Sequence, residues 1–82
     1  RAGLDQLAAA FDQMGLSYIP SAGNFVALDL QRDGMQVYER LLREGVIVRP
    51  VANYDLPRHL RITVSTREEN DFLVQALQKV LG

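Results

Sequence analysis

The sequence predicts an α/β two-layer sandwich, a small and mostly antiparallel sheet packed with three amphipathic helices. Three observations carry that prediction. Apolar residues recur at helical spacing in three separate stretches, at the start of the chain, after Asp33 and after Thr66. Short β-branched or apolar runs bounded by proline and glycine lie between them. The stretch Leu60-Arg61-Ile62-Thr63-Val64-Ser65 alternates apolar and polar residues with the period of a half-buried strand. Amphipathic helices and a small sheet bury their apolar faces best against one another, in two layers.

The first helix spans about residues 2–14, with Leu4, Leu7, Ala8, Phe11 and Met14 on one face. Gly15 is its expected stop, because glycine accepts the left-handed conformation of a helix end. Residues 16–19 form a short edge strand ended by Pro20, and Ser21-Ala22-Gly23 a turn. Residues 24–30 are nearly all apolar and predict a strand covered on both faces for much of its length. Asn24, at its mouth, either caps a turn with its own side chain or sets an amide near a ligand. Residues 31–34 form a loop in which Asp33 caps the next helix and Gln36 answers as reciprocal partner. Val37, Tyr38, Leu41 and Leu42 make that helix's apolar stripe, Glu39 and Arg43 a solvated pair on its surface, and Gly45 its end. Residues 46–49 are a second β-branched strand stopped by Pro50, followed by a loop through His59 and the strand 60–65. Thr66 with Glu69 is a capping box opening the last helix, whose stripe is Phe72, Leu73, Ala76, Leu77 and Val80.

With 82 residues the chain holds one domain at most and buries a modest core. Its net charge of −1 creates no field toward nucleic acid or an anionic membrane. It has no cysteine, which excludes disulfides and thiolate metal sites and fits a reducing, cytoplasmic setting. No apolar run reaches the length of a membrane span, and no signal peptide is visible. Arg1 is not an initiator methionine and the helical pattern begins at once, so the chain reads as cut from something longer.

Chemistry concentrates on two arginines. If strands 46–49 and 60–65 pair, they pair antiparallel, and Arg49 and Arg61 lie together at the loop end of the ladder. The planar guanidinium fork matches carboxylate or phosphate with two parallel hydrogen bonds, so two such groups suit a dianion. Spacing leaves the alternatives open: one arginine facing solvent, or Asp55 or another carboxylate neutralising it. The catalytic inventory is otherwise poor. His59 has no cysteine, serine motif or carboxylate pair around it and reads as structural or solvated. Lys79, the only lysine, lies off the apolar stripe at a helix end and reads as a solvated cation rather than a desolvated amine. The glycines are scattered and form no phosphate loop. By itself the chain has no catalytic residue and no metal site, yet could bind an anion.

The ordered set Asn24-Phe25-Val26, Leu41-Leu42-Arg43-Glu44-Gly45-Val46-Ile47-Val48-Arg49-Pro50-Val51, Leu56-Pro57-Arg58-His59-Leu60-Arg61-Ile62-Thr63-Val64 and Glu68-Glu69-Asn70 resembles the C-terminal small domain of the histidinol-phosphate aminotransferase family, among the fold-type I pyridoxal-phosphate aminotransferases. The resemblance spans essentially the whole of residues 1–82 and implies one small domain of a longer, cytoplasmic enzyme. It implies that Arg61 grips the substrate's anionic group and that Arg49 is a second phosphate-contacting arginine. Asn24 and Phe25 match a segment near the substrate entrance. It further implies a small anionic substrate, a pyridoxal phosphate cofactor bound by a large domain outside this chain, a homodimer, and no nucleic-acid or membrane partner. The implied reaction converts histidinol phosphate and 2-oxoglutarate to imidazole acetol phosphate and glutamate, in histidine biosynthesis. Asp55 and Ser65 depart from the family pattern, standing where relatives often have glycine. Three alternatives stand beside this: another fold-type I aminotransferase, an amino-acid-phosphate decarboxylase, or a free-standing module binding anions or a protein partner.

Overall fold

The computed structural model describes residues 2–20, 23–50 and 57–82. The element order is α1 (Ala2–Gln13), β1 (Tyr18–Pro20), β2 (Phe25–Asp29), α2 (Gly34–Arg43), β3 (Arg49–Pro50), β4 (His59–Thr63) and α3 (Arg67–Leu81). The strands form one four-stranded sheet in the order β1-β2-β4-β3, with each neighbouring pair antiparallel. The predicted two-layer architecture is therefore the one observed. Ser21, Ala22 and the 51–56 part of the predicted loop, Asp55 included, lie outside the described residues.

One layer is helical because each helix carries one apolar stripe. Leu7 and Phe11 of α1, Val37 and Leu41 of α2, and Leu73, Ala76, Leu77 and Val80 of α3 meet Val26, Leu28, Leu60 and Ile62 from the sheet. Tyr18 joins them from the edge strand, its ring 5.7 Å from that of Phe11. The ends of the helices follow local chemistry. Gly15 and Gly45 take φ values of 72° and 84°, open to glycine without strain. Thr66 Oγ1 accepts the Glu69 N–H at 3.2 Å, as the capping box predicts.

Several expectations need correction. β2 alternates half-buried and buried residues and is not covered on both faces, because the helices occupy one side of the sheet only. The strand predicted at 46–49 is reduced to Arg49–Pro50. Val46 N–H still donates to Leu41 O, so the chain is leaving α2 and cannot yet join a ladder. Pro20 and Pro50 lie within their strands instead of beyond them, which edge strands permit, since one side of their backbone has no ladder to fill. His59 opens β4 instead of closing a loop, while Val64 and Ser65 fall outside it. Gly34 belongs to α2, buried where a Cβ would come within 3.0 Å of Pro57 O. Leu42 and Phe72 are exposed, because the apolar stripes of α2 and α3 are narrower than their spacing suggested. Among the described residues Gln36 returns no bond to Asp33, whose carboxylate accepts from Met35 N–H. Glu39 and Arg43 form no ion pair there either; Glu44 instead meets Lys79 at 3.0 Å.

Candidate functional site

The face of the sheet turned away from the helices carries the polar residues of β2 and β4. Strand alternation sends Leu60 and Ile62 into the core and leaves His59, Arg61 and Thr63 on this face. On β2 the same alternation leaves Phe25, Ala27 and Asp29. The register sets Arg61 between Ala27 on one side and Arg49 on the other, and Phe25 opposite Thr63. The two arginines predicted at one end of a ladder are thus directly opposite each other, on neighbouring strands.

Arg61 is held from below. Its guanidinium carbon lies 4.6 Å from the centre of the Phe25 ring, a cation–π distance. Arg61 is half-buried, and its Nε is enclosed with no hydrogen-bond partner among the described residues. Arg49 is exposed. Like charges on facing residues repel, and no described acidic side chain pairs with either arginine. The nearby Asp29 carboxylate is engaged elsewhere, by Arg58 at 3.3 Å and by Gln31 N–H at 2.9 Å. The face therefore has a net positive centre with a rigid fork and no counter-ion among the described residues, an arrangement suited to an external carboxylate or phosphate.

Of the other residues singled out from the sequence, Phe25, Asn24 and His59 lie on or next to the strands beside this centre and Lys79 does not. Phe25 contacts Arg61 directly. Asn24 precedes it, and its carbonyl accepts Val64 N–H at 2.7 Å, adding a rung to the β2–β4 pairing. His59 is half-buried opposite Asp29, its Nδ1 enclosed without a partner among the described residues. Lys79 is on α3, its side chain 71% exposed, so it is a surface cation paired with Glu44. Ser65, despite standing in a glycine position of the resembled pattern, needs no special backbone: Gln31 is the one described non-glycine residue with positive φ. Among the described residues no cluster could hold a metal ion, and no helix is long and apolar enough to cross a membrane.

A groove of about 460 Å³ lies between the α2–β3 connection, the end of β4 and the start of α3, lined by Gly45, Ile47, Ile62, Thr63, Glu68 and Phe72 among others. It contains neither arginine, and the carboxylates of Glu68 and Glu69 on its wall oppose an anion. The sheet face, which carries both arginines in register, is better suited to an anion than this groove.

Two structural roles were not read from the sequence. Asn70 is buried, and Phe25 is the support of Arg61. The first had a visible signal, an asparagine in helical register with Leu73 and Leu77. The second depended on the β2–β4 register, which spacing along the chain does not determine.

The family model for aminotransferase class I and II matches residues 2–77. Histidinol-phosphate aminotransferase 2 of Pseudomonas aeruginosa is 58% identical over 80 residues, covering 98% of this chain and 22% of that protein. Its counterpart in Pseudomonas fluorescens is 56% identical, over 99% of this chain and 22% of that protein. The crystal structure of histidinol-phosphate aminotransferase from Sinorhizobium meliloti in complex with pyridoxal-5'-phosphate is 34% identical and superposes with a TM-score of 0.73, over 98% of this chain and 22% of that one. The chain spans about a fifth of the length of the relatives it matches, 22% in each of these comparisons.

Proposed function

Because this chain belongs to the aminotransferase class I and II family, we propose that residues 1–82 are the C-terminal small domain of a pyridoxal-phosphate-dependent aminotransferase acting on histidinol phosphate. The full-length enzyme would transfer the amino group to 2-oxoglutarate, as a cytoplasmic homodimer in histidine biosynthesis. The names of relatives more than half identical over nearly all of this chain support the substrate. The observation that carries the reading is the Arg49–Arg61 pair, in register on the open sheet face with no described carboxylate to neutralise it.

In this reading the chain's work is binding and orientation. Arg61 presents two parallel N–H donors to the substrate phosphate, its position fixed by Phe25 and by the core residues on either side of it in β4. Arg49 supplies the second charge that a dianion calls for. Asn24 and Phe25 border the approach to this pair. A tail held by rigid groups removes translational and rotational freedom from the substrate before reaction.

The cofactor does not fit within this chain. Its attachment needs a sheltered amine, whereas Lys79 is the only lysine and is exposed and ion-paired on the far end of α3. In this reading the lysine that attaches pyridoxal phosphate belongs to the rest of the full-length enzyme, and the role of this chain is to bind the substrate.

Replacement of Arg61 by alanine in the full-length enzyme tests the proposal. The kcat/KM for histidinol phosphate is expected to fall about a hundredfold or more, the cost of losing a charge-assisted bidentate contact. A loss of less than about threefold would remove Arg61 from the substrate site.

A further inference from the structure

Asn70 is the one buried polar residue in the described core, 1% exposed. Its side chain is fully engaged. Oδ1 accepts Ser65 N–H at 3.0 Å. Nδ2 donates to Ser65 O at 3.2 Å, Gln6 Oε1 at 3.0 Å and Gly3 O at 3.4 Å. Gln6 is oriented in turn, its Nε2 donating to Asp71 Oδ1 at 2.7 Å and Arg67 O at 3.2 Å. Gly3 keeps the junction tight, because a Cβ there would lie 2.9 Å from Val64 Cγ1 and 3.2 Å from Ser65 O. One carboxamide thus joins the first turn of α1, the first turn of α3 and the end of the segment that follows β4.

A leucine would serve packing better at this point in the stripe. A buried amide is tolerable only when its hydrogen bonds are made, and when made they specify one arrangement. The arrangement specified here leads to the arginines. Ser65 is clamped through both its N–H and its carbonyl, and the adjacent Val64 N–H donates to Asn24 O at 2.7 Å. The next rung pairs Phe25 with Thr63, and Arg61 lies over the Phe25 ring.

We infer that Asn70 is a positioning residue for substrate binding: it fixes the end of β4 against β2 so that Arg61 stays over Phe25 and opposite Arg49. The inference rests on the reading of Arg61 as the anion grip. It concerns a residue that touches neither substrate nor cofactor, and it makes Gln6 of α1 a second part of the same device.

The test uses the full-length, cofactor-loaded enzyme with histidinol phosphate as amino donor, and rates are normalised to loaded sites. Asn70→Ala is expected to raise KM about tenfold with kcat within about twofold, and Gln6→Ala to raise KM about threefold. In an Arg61→Ala background both substitutions should leave KM unchanged, because the group they position is gone. A purely scaffolding role would lower the melting temperature or the loaded fraction while KM stayed constant, and that result overturns the inference. Effects of equal size with and without Arg61 overturn it as well. If Asn70→Ala does not fold, Gln6→Ala at its half-exposed position decides the matter alone. Failure of the underlying reading is distinct: Arg61→Ala by itself would then leave kcat/KM intact, and both conclusions would fall.

Discussion

Arg61 and Arg49 differ in how they are held, and this predicts different roles in specificity. Arg61 is half-buried over an aromatic ring, with its strand neighbours in the core. Arg49 is exposed on a two-residue edge strand. A fixed fork serves any anionic tail, whereas a freer second cation matters most when the tail carries two charges. Arg49→Ala is therefore expected to lower kcat/KM for histidinol phosphate about tenfold, and for a carboxylate-bearing amino donor less than about threefold. Competition kinetics with the two donors checks this; equal losses would show that Arg49 does not discriminate. His59, two residues before Arg61 on the same face, remains a structural neighbour opposite Asp29.

Among the elements, α3 illustrates how local sequence controls a boundary that the site depends on. Thr66 ends the segment pinned by Asn70 and begins the helix, its Oγ1 accepting Glu69 N–H and facing Glu69 Oε1 at 3.4 Å. Thr66→Ala removes this cap and leaves an unsatisfied N–H in the first turn, at a cost of about 1 kcal/mol. The denaturation midpoint should fall accordingly, with little change in the unfolding slope, and Thr66→Ser should restore most of the loss. The α2–β3 connection shows the opposite case. Its β-branched residues favour a strand, but Val46 N–H is committed to Leu41 O, so ladder formation waits until Arg49.

For the molecule as a whole, the segregation of the two sheet faces is what turns a small domain into a platform. All three helices cover one face and leave the other to Phe25, Arg61 and their neighbours. The core is closed within the described residues, with Leu77, Leu60, Leu28 and Phe11 each 0% exposed. The 82-residue chain is thus expected to unfold cooperatively by itself. Leu77→Ala, which removes a fully buried side chain of α3, should lower its stability by about 2–5 kcal/mol in chemical denaturation. A non-cooperative transition of the unmodified chain would show that its stability depends on the remainder of the enzyme.

Much of this was legible from the residues alone. The three helical stripes, the caps at Asp33 and Thr66, the glycine stops and the alternation through Arg61 are local patterns, and local backbone sterics and hydrogen bonding are enough to determine them. The resemblance carried by Arg49, Arg61 and the segments around them indicated the family that the match over residues 2–77 shows. Strand order, register and the far side of each stripe were decided by tertiary structure. Only the β2–β4 pairing brings Phe25 beneath Arg61, and only the packing of α1 on α3 encloses Asn70 with Gln6 and Gly3. Partners far apart along the chain leave no periodic trace in it, and which of them meet depends on how the whole set of apolar faces can be buried at once.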